Sequence, residues 1–175
     1  MSSSVDDVLA RARVVRLAIF DVDGVMTDGT LYIGDKGEAF KAFNILDGHG
    51  VKMLQAAGVA TAIISGRSSE AVTRRAAELA IGHVVQGSTD KVVAFESLRE
   101  RLGLEAPACA FVGDDLPDLA VMRRCGLAVA VANAAEAVKE AAHYVTRASG
   151  GRGAVREFCE LVLRAQGQLD AAHAV

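Results

Sequence analysis

Asp21 and Asp23 follow the apolar run Val15 to Phe20 with a single residue between them. In an extended segment residues i and i+2 share a face, so both carboxylates project together from the end of a strand. Such a pair can divide the work of phosphoryl transfer, one attacking phosphorus and the other protonating the leaving oxygen. The two acids repel each other and a phosphate dianion, so this chemistry calls for a hard cation, and Mg²⁺ suits carboxylate, phosphate and water ligands. A second acidic cluster, Phe111-Val-Gly-Asp114-Asp115-Leu-Pro-Asp118, also begins just past an apolar strand. Gly113 permits close approach there. Asp114 is the expected metal ligand, and Asp118 is placed to orient the site with Asp115 in support.

Between these clusters lie Ile63-Ile64-Ser65-Gly66-Arg67, a strand ending in a hydroxyl, and Lys91 at the start of a helix. Ser65 can donate a hydrogen bond to a phosphate oxygen, and Lys91 can neutralise charge on the transferring group. Taken singly, each is more often only a cap at an element boundary. Their order with the acid clusters is what gives them weight. A calcium loop also opens on Asp-x-Asp-Gly, but it needs an oxygen ligand at its fifth position and glycine at its sixth, where this chain has Val25 and Met26.

These residues need elements to hold them at one place. Short apolar runs ending in Gly, Ser, Asp or Asn alternate with helical patterns, which predicts an α/β fold with a parallel sheet and crossover helices. Strands are expected at Val15 to Phe20, Thr61 to Ser65, His83 to Gln86, Ala108 to Val112 and Leu127 to Val131, with a short sixth at His143 to Thr146. Helices are expected at Val51 to Ala57, Ser68 to Leu79, through Val92, Phe95, Leu98 and Leu102, around Leu119 and Met122, and finally through about Arg164. One segment, about 28–43, breaks the alternation: Thr30-Leu-Tyr-Ile, Gly34-Asp-Lys-Gly37 and Glu38 to Phe43 read as a β-hairpin. The stretch Ser149 to Arg156 reads as a flexible, arginine-bearing loop.

With 175 residues, 51% hydrophobic and 23% charged, the chain reads as one globular domain spanning 1–175. A net charge of -3 without a basic run argues against nucleic acid, and Arg11, Arg13 and Arg16 read as a solvated helix face. Cys109, Cys125 and Cys159 are odd in number and widely spaced, which suggests neither a disulfide framework nor a zinc knuckle and points to a reducing compartment. No apolar run is long enough to span a bilayer, and the acidic start fits neither a secretory nor a transit signal, so a cytoplasmic protein with no membrane partner is expected.

The run Asp21-Val-Asp23-Gly24-Val-Met-Thr27-Asp28-Gly29, then Ser65-Gly-Arg67, Lys91 and Gly113-Asp114-Asp115-Leu-Pro-Asp118, resembles in order the four motifs of the haloacid dehalogenase superfamily. The resemblance implies a Rossmann-like doubly wound parallel sheet, Asp21 as nucleophile, Asp23 as general acid and base, and Ser65 and Lys91 as phosphate ligands. It implies Mg²⁺ held by Asp21, Asp114 and the main-chain carbonyl of Asp23. There is no room for the large cap domain that many relatives insert, and only the hairpin stands in its place. From about Val14 to Leu163 the longer pattern is similar to the 3-deoxy-D-manno-octulosonate 8-phosphate phosphatases, including Phe43-Asn44, Asp47-Gly48-His-Gly50 and the Gly-Gly-x-Gly-Ala-Val-Arg-Glu tail. That family makes a lipopolysaccharide precursor, and its subunits form a homotetramer in which the hairpins build a central barrel.

Two features of the chain point to association independently. An uncapped phospho-aspartate is open to water, and a lone two-stranded hairpin is marginally stable. Arg67 and Arg152 could bind the sugar-acid carboxylate by bidentate hydrogen bonds, and Thr27 and Asn44 lie near the expected pocket mouth. The bland readings remain beside these: Arg152 as a solvated loop residue, Asn44 as a turn residue, Asp28 as a cap of the hairpin. The alternatives are a phosphatase of sialic acid 9-phosphates, a phospho-acceptor signalling domain and a non-catalytic regulatory subunit. Gly151-Arg-Gly153 lacks the third glycine of a dinucleotide site.

Overall fold

The computed structural model describes residues 4–172, so residues 1–3 and 173–175 of the expected 1–175 domain lie outside the described residues. The chain runs through α1 (Val5–Arg13), β1 (Leu17–Phe20), β2 (Tyr32–Gly34), β3 (Gly37–Phe40), α2 (Ile45–Ala56) and β4 (Ala60–Ile64). It continues through α3 (Glu70–Glu78), β5 (His83–Val85), α4 (Lys91–Arg101), β6 (Cys109–Gly113), α5 (Leu119–Met122) and β7 (Leu127–Ala130). The last elements are α6 (Glu136–Ala141), β8 (Tyr144–Val145), α7 (Ala154–Ala165) and α8 (Leu169–Ala172).

Six strands form one parallel sheet in the order β5-β4-β1-β6-β7-β8, while β2 and β3 pair antiparallel as a separate hairpin. The chain leaves β1 toward β4 and β5, then crosses back to β6, β7 and β8. That reversal beside β1 opens a crevice at the carboxyl ends of β1, β4 and β6, where open α/β sheets bind ligands. Phe20 is level with Ile63 on one side and Val112 on the other, so the residues that follow all three strands reach the crevice at a common height.

The central strands β1, β6 and β7 are buried along their whole length, which is why their sequences are apolar without alternation. Helices α1, α2 and α7 pack together as one group and α4, α5 and α6 as another. Phe20 meets Phe158 edge to face with ring centroids 5.8 Å apart, joining the central strand to α7. The three cysteines are buried and unpaired. Among the described residues no helix is long and apolar enough to cross a membrane.

All six expected sheet strands are present, while α2 starts at Ile45 rather than near Val51. Asn44 caps it, its Oδ1 accepting from the backbone N–H of Leu46 and Asp47. Gly48 and Gly50 lower helix propensity over this stretch, but tertiary packing requires them: a Cβ at Gly50 would lie 3.0 Å from the Arg156 Cα in α7. The stretch expected as a flexible loop, Ser149 onward, is tied down instead. Gly150 N–H donates to Asn133 Oδ1 at 2.8 Å and Gly151 N–H to the Val25 carbonyl at 2.9 Å. The Gly153 and Arg156 N–H groups donate to the buried Asp47 carboxylate, which closes the amino end of α7 from across the fold.

Candidate active site

The β1 strand delivers Asp21 to the crevice, with the Asp21 N–H donating to the Val112 carbonyl of β6 at 3.0 Å. Directly after it, Val22–Met26 forms a tight turn in which Gly24 takes φ of +93°. A Cβ on Gly24 would sit 2.0 Å from Asp114 Oδ2, so the turn and the β6 carboxylate can close on each other only because the residue is glycine. Thr27 ties the turn together from within: it is buried, its hydroxyl donates to the Val22 carbonyl, and its Oγ1 accepts from Gly24 and Gly29 N–H. A Gly24→Ala variant should stay folded with a loss of about 1–2 kcal/mol, because the turn and the Asp114 carboxylate must both give way to the added methyl. Denaturant titration would measure the loss, and an unchanged midpoint would show that the glycine does not shape the site.

A cavity of about 240 Å³ is lined by Asp21, Asp23, Ser65, Gly66, Arg67, Lys91, Asp114, Asp115, Pro117 and Asp118. Lys91, in the first turn of α4 behind the capping residue Asp90, is buried and donates to Asp21 Oδ1 and Asp118 Oδ1, both at 2.7 Å. Asp118 lies in the turn after β6 and is fixed on its other oxygen, Oδ2, which accepts from Asp114 N–H at 3.0 Å. It thus orients Lys91 and braces the Asp114 loop. Gly113 is needed there because a Cβ would come within 2.7 Å of the Asp118 side chain.

Carboxylate oxygens of Asp21, Asp114 and Asp118 all lie within 4.8 Å of one another. Burial, followed by the negative charges of Asp21, Asp118 and Asp115, pushes the Asp114 carboxyl up to about 8. Burial and the charge of Asp118 push Asp21 up to about 6, against the pull of Lys91. Burial works against the Lys91 ammonium, but Asp21 and Asp118 outweigh it and hold its pKa above the ordinary lysine value. Oxygen donors crowded this closely, with only one ammonium among them, match the needs of a hard divalent cation.

Ser65 follows β4 directly and lines the cavity, its Oγ accepting from Arg67 N–H at 3.3 Å. Arg67 is half-exposed, with Nε 3.7 Å from Asp23 Oδ2 and NH2 3.4 Å from Glu38 Oε2. Three of the residues expected near the substrate do not line the cavity in this chain. Thr27 serves the turn, Asn44 caps α2, and Arg152 is exposed with its guanidinium 3.3 Å from Asp28. Residues not anticipated from sequence are Lys41 and Glu38 on and just after β3. Lys41 donates to Asp23 Oδ1 at 2.5 Å and to Glu38 Oε2 at 2.9 Å. The only signal in the sequence is a pair of charged residues in a hairpin that directly follows the Asp21 turn.

The family model for haloacid dehalogenase-like hydrolases matches residues 80–158. The chain is 49% identical over 166 residues to the 3-deoxy-D-manno-octulosonate 8-phosphate phosphatase KdsC of Escherichia coli strain K12, covering 95% of this chain and 88% of that one. It belongs to the 3-deoxy-D-manno-octulosonate 8-phosphate phosphatase family. Among solved structures, a probable yrbi family phosphatase from Pseudomonas syringae pv. phaseolica superposes with a TM-score of 0.95 at 56% identity, over 97% of this chain and 96% of that one. A 3-deoxy-D-manno-octulosonate 8-phosphate phosphatase from Moraxella catarrhalis, solved with magnesium, phosphate and KDO, superposes with a TM-score of 0.95 at 43% identity, over 98% of both chains. The framework described above therefore superposes on both structures over nearly the whole chain.

Proposed function

We propose that this protein is a Mg²⁺-dependent phosphoric monoester hydrolase that converts 3-deoxy-D-manno-octulosonate 8-phosphate to 3-deoxy-D-manno-octulosonate and phosphate through an aspartyl phosphate on Asp21. The observation that carries the chemistry is the meeting of Asp21, Lys91 and Asp114 in one cavity at the switch point of the sheet. The substrate follows from the relatives, which are close in sequence over nearly the whole chain. Asp21 and Asp114 would hold Mg²⁺ with the Asp23 carbonyl, and the ion would offset negative charge between the carboxylates and the phosphate.

Lys91 orients the Asp21 carboxylate through Oδ1 and presents an ammonium to the phosphoryl group, while the Ser65 hydroxyl donates to a second phosphoryl oxygen. Asp21 attacks phosphorus, a new P–O bond forms, and the bond to the sugar's C8 oxygen breaks. Asp23 hands its proton to that oxygen, which would otherwise leave as a poor alkoxide. Water then attacks the aspartyl phosphate, Asp23 takes a proton from it, and inorganic phosphate departs with Asp21 restored. Arg67, which lines the same cavity, would meet the substrate carboxylate.

The deciding experiment measures phosphate release with and without Mg²⁺ on octulosonate 8-phosphate, a sialic acid 9-phosphate, hexose 6-phosphates and acetyl phosphate. Fast, metal-dependent release confined to octulosonate 8-phosphate among the sugar phosphates is expected. Equal rates across the panel would leave a general phosphatase, and no release from any of them would sink the enzymatic reading.

The proposal extends to assembly as a homotetramer through the hairpin. Ile33 is 64% and Phe40 56% exposed there, and Ile45 at the start of α2 is 82% exposed, an apolar surface that favours association. An Ile33→Asp, Phe40→Asp double variant should sediment as a smaller species than the wild type, with the fold intact by circular dichroism. A tetramer that survives both charges would place the interface elsewhere.

A further inference from the structure

We propose that Lys41 and Glu38, both contributed by the hairpin, are positioning residues that set the Asp23 carboxylate for proton transfer, so that the hairpin belongs to the catalytic apparatus as well as to any subunit contact. The inference rests on the reading of Asp23 as general acid and base. The Lys41 side chain is only 2% exposed although it sits at the end of a surface hairpin, and an ammonium is buried this deeply only when carboxylates meet it. Its partners are Asp23 Oδ1 at 2.5 Å and Glu38 Oε2 at 2.9 Å.

Glu38 is held in its turn. Its Oε1 accepts from the Ser69 hydroxyl at 2.5 Å. Ser69 stands at the amino end of α3, yet its side chain makes no capping bond to that helix and is committed to the hairpin instead. A chain of hydrogen bonds therefore runs from α3 through Ser69, Glu38 and Lys41 to Asp23, joining three separate parts of the sequence at one oxygen. Asp23 lies in a turn with extended backbone angles, and nothing in that local geometry fixes its side-chain rotation. Lys41 supplies the constraint by anchoring Oδ1. Oδ2, which Lys41 does not engage and which lies 3.7 Å from Arg67 Nε, is then the oxygen to carry the proton to the leaving group and to receive one from water.

A positioning role in proton transfer has a signature that a scaffold role lacks, which is dependence on the leaving group. The sugar C8 oxygen needs a proton as its bond to phosphorus breaks, whereas acetate leaves acetyl phosphate without one. In Lys41→Met, kcat/KM for octulosonate 8-phosphate should fall roughly 100-fold while that for acetyl phosphate falls less than about fivefold. Lys41→Arg, which keeps a buried cation, should recover most of the loss, and Glu38→Gln should show the same substrate-dependent pattern with smaller amplitude. Sedimentation and circular dichroism of each variant separate this from loss of assembly or fold, and Glu38→Gln carries the test if Lys41→Met does not fold. Equal losses on both substrates in folded, wild-type-sized variants would overturn the inference. A wild-type enzyme that hydrolyses neither substrate would overturn the phosphatase reading instead.

Discussion

An Asp21→Asn variant should remain folded and release phosphate from octulosonate 8-phosphate roughly 10,000-fold more slowly than the wild type, or slower still. Asparagine keeps the size of the side chain and an oxygen to accept from Lys91, but a neutral amide is too weak a nucleophile to form the acyl phosphate. The same substitution should cost little stability. In the metal-free protein burial lifts the Asp21 carboxyl to about 6. An acid whose folded pKa is raised binds protons more tightly in the folded state, so its ionisation opposes folding above that range. Replacing it removes this penalty at neutral pH and offsets the weaker bond to Lys91. Denaturation midpoints and single-turnover assays with an acid quench to trap phosphoprotein would test both halves. Residual turnover above roughly one per cent would place the nucleophile elsewhere.

The second large effect concerns Asp114 and the metal. Unfolded, its carboxyl titrates near 3.8, whereas in the metal-free fold it is raised to about 8. Between those values the folded state holds more protons than the unfolded state, so the stability of the metal-free protein should fall as pH rises from about 4 to about 8. Mg²⁺ binds the ionised site and competes with protons, so it should raise Tm more at pH 8 than at pH 5. Asp114→Asn should reverse the sign of the usual active-site loss. Activity should drop roughly 1,000-fold, while metal-free stability at pH 8 should rise by on the order of 2 kcal/mol and the Mg²⁺ response should largely vanish. Scanning calorimetry at the two pH values, with and without Mg²⁺, checks this. A metal-induced shift equal at both pH values, or a variant less stable than wild type at pH 8, would contradict it.

These effects trace to residues that could be found by eye. Asp21 and Asp114 each follow an uninterrupted apolar strand, and burial on both faces leaves no alternation to blur that reading. Ser65 and Lys91 were legible by their order between the two acid clusters, and the structure brings both into the cavity. The start of α2 was not legible, because Gly48 and Gly50 weaken local helix propensity and their reasons for being there are distant in the chain: a Cβ at Gly48 would meet the Arg75 side chain of α3, and one at Gly50 the Arg156 backbone of α7. The tail misled for a related cause. Its glycines read as freedom, but a Cβ at Gly150 would lie 1.7 Å from the Gly24 carbonyl, so they permit close packing beneath the Asp21 turn.

By itself the amino-acid sequence determined the α/β class, the strand ends on which the acids stand and the chemistry those acids can perform, because each depends on periodicity and residue type within a few neighbours. Only the tertiary structure decided that Lys41 and Glu38 reach back to Asp23, that Lys91 is the group Asp118 orients, and that Thr27, Asn44 and Arg152 serve the turn, a helix cap and a surface ion pair. The physical reason is that a charged side chain leaves the same mark in sequence whether it meets water or a buried partner, and which of these it meets is set by how distant elements fold over it.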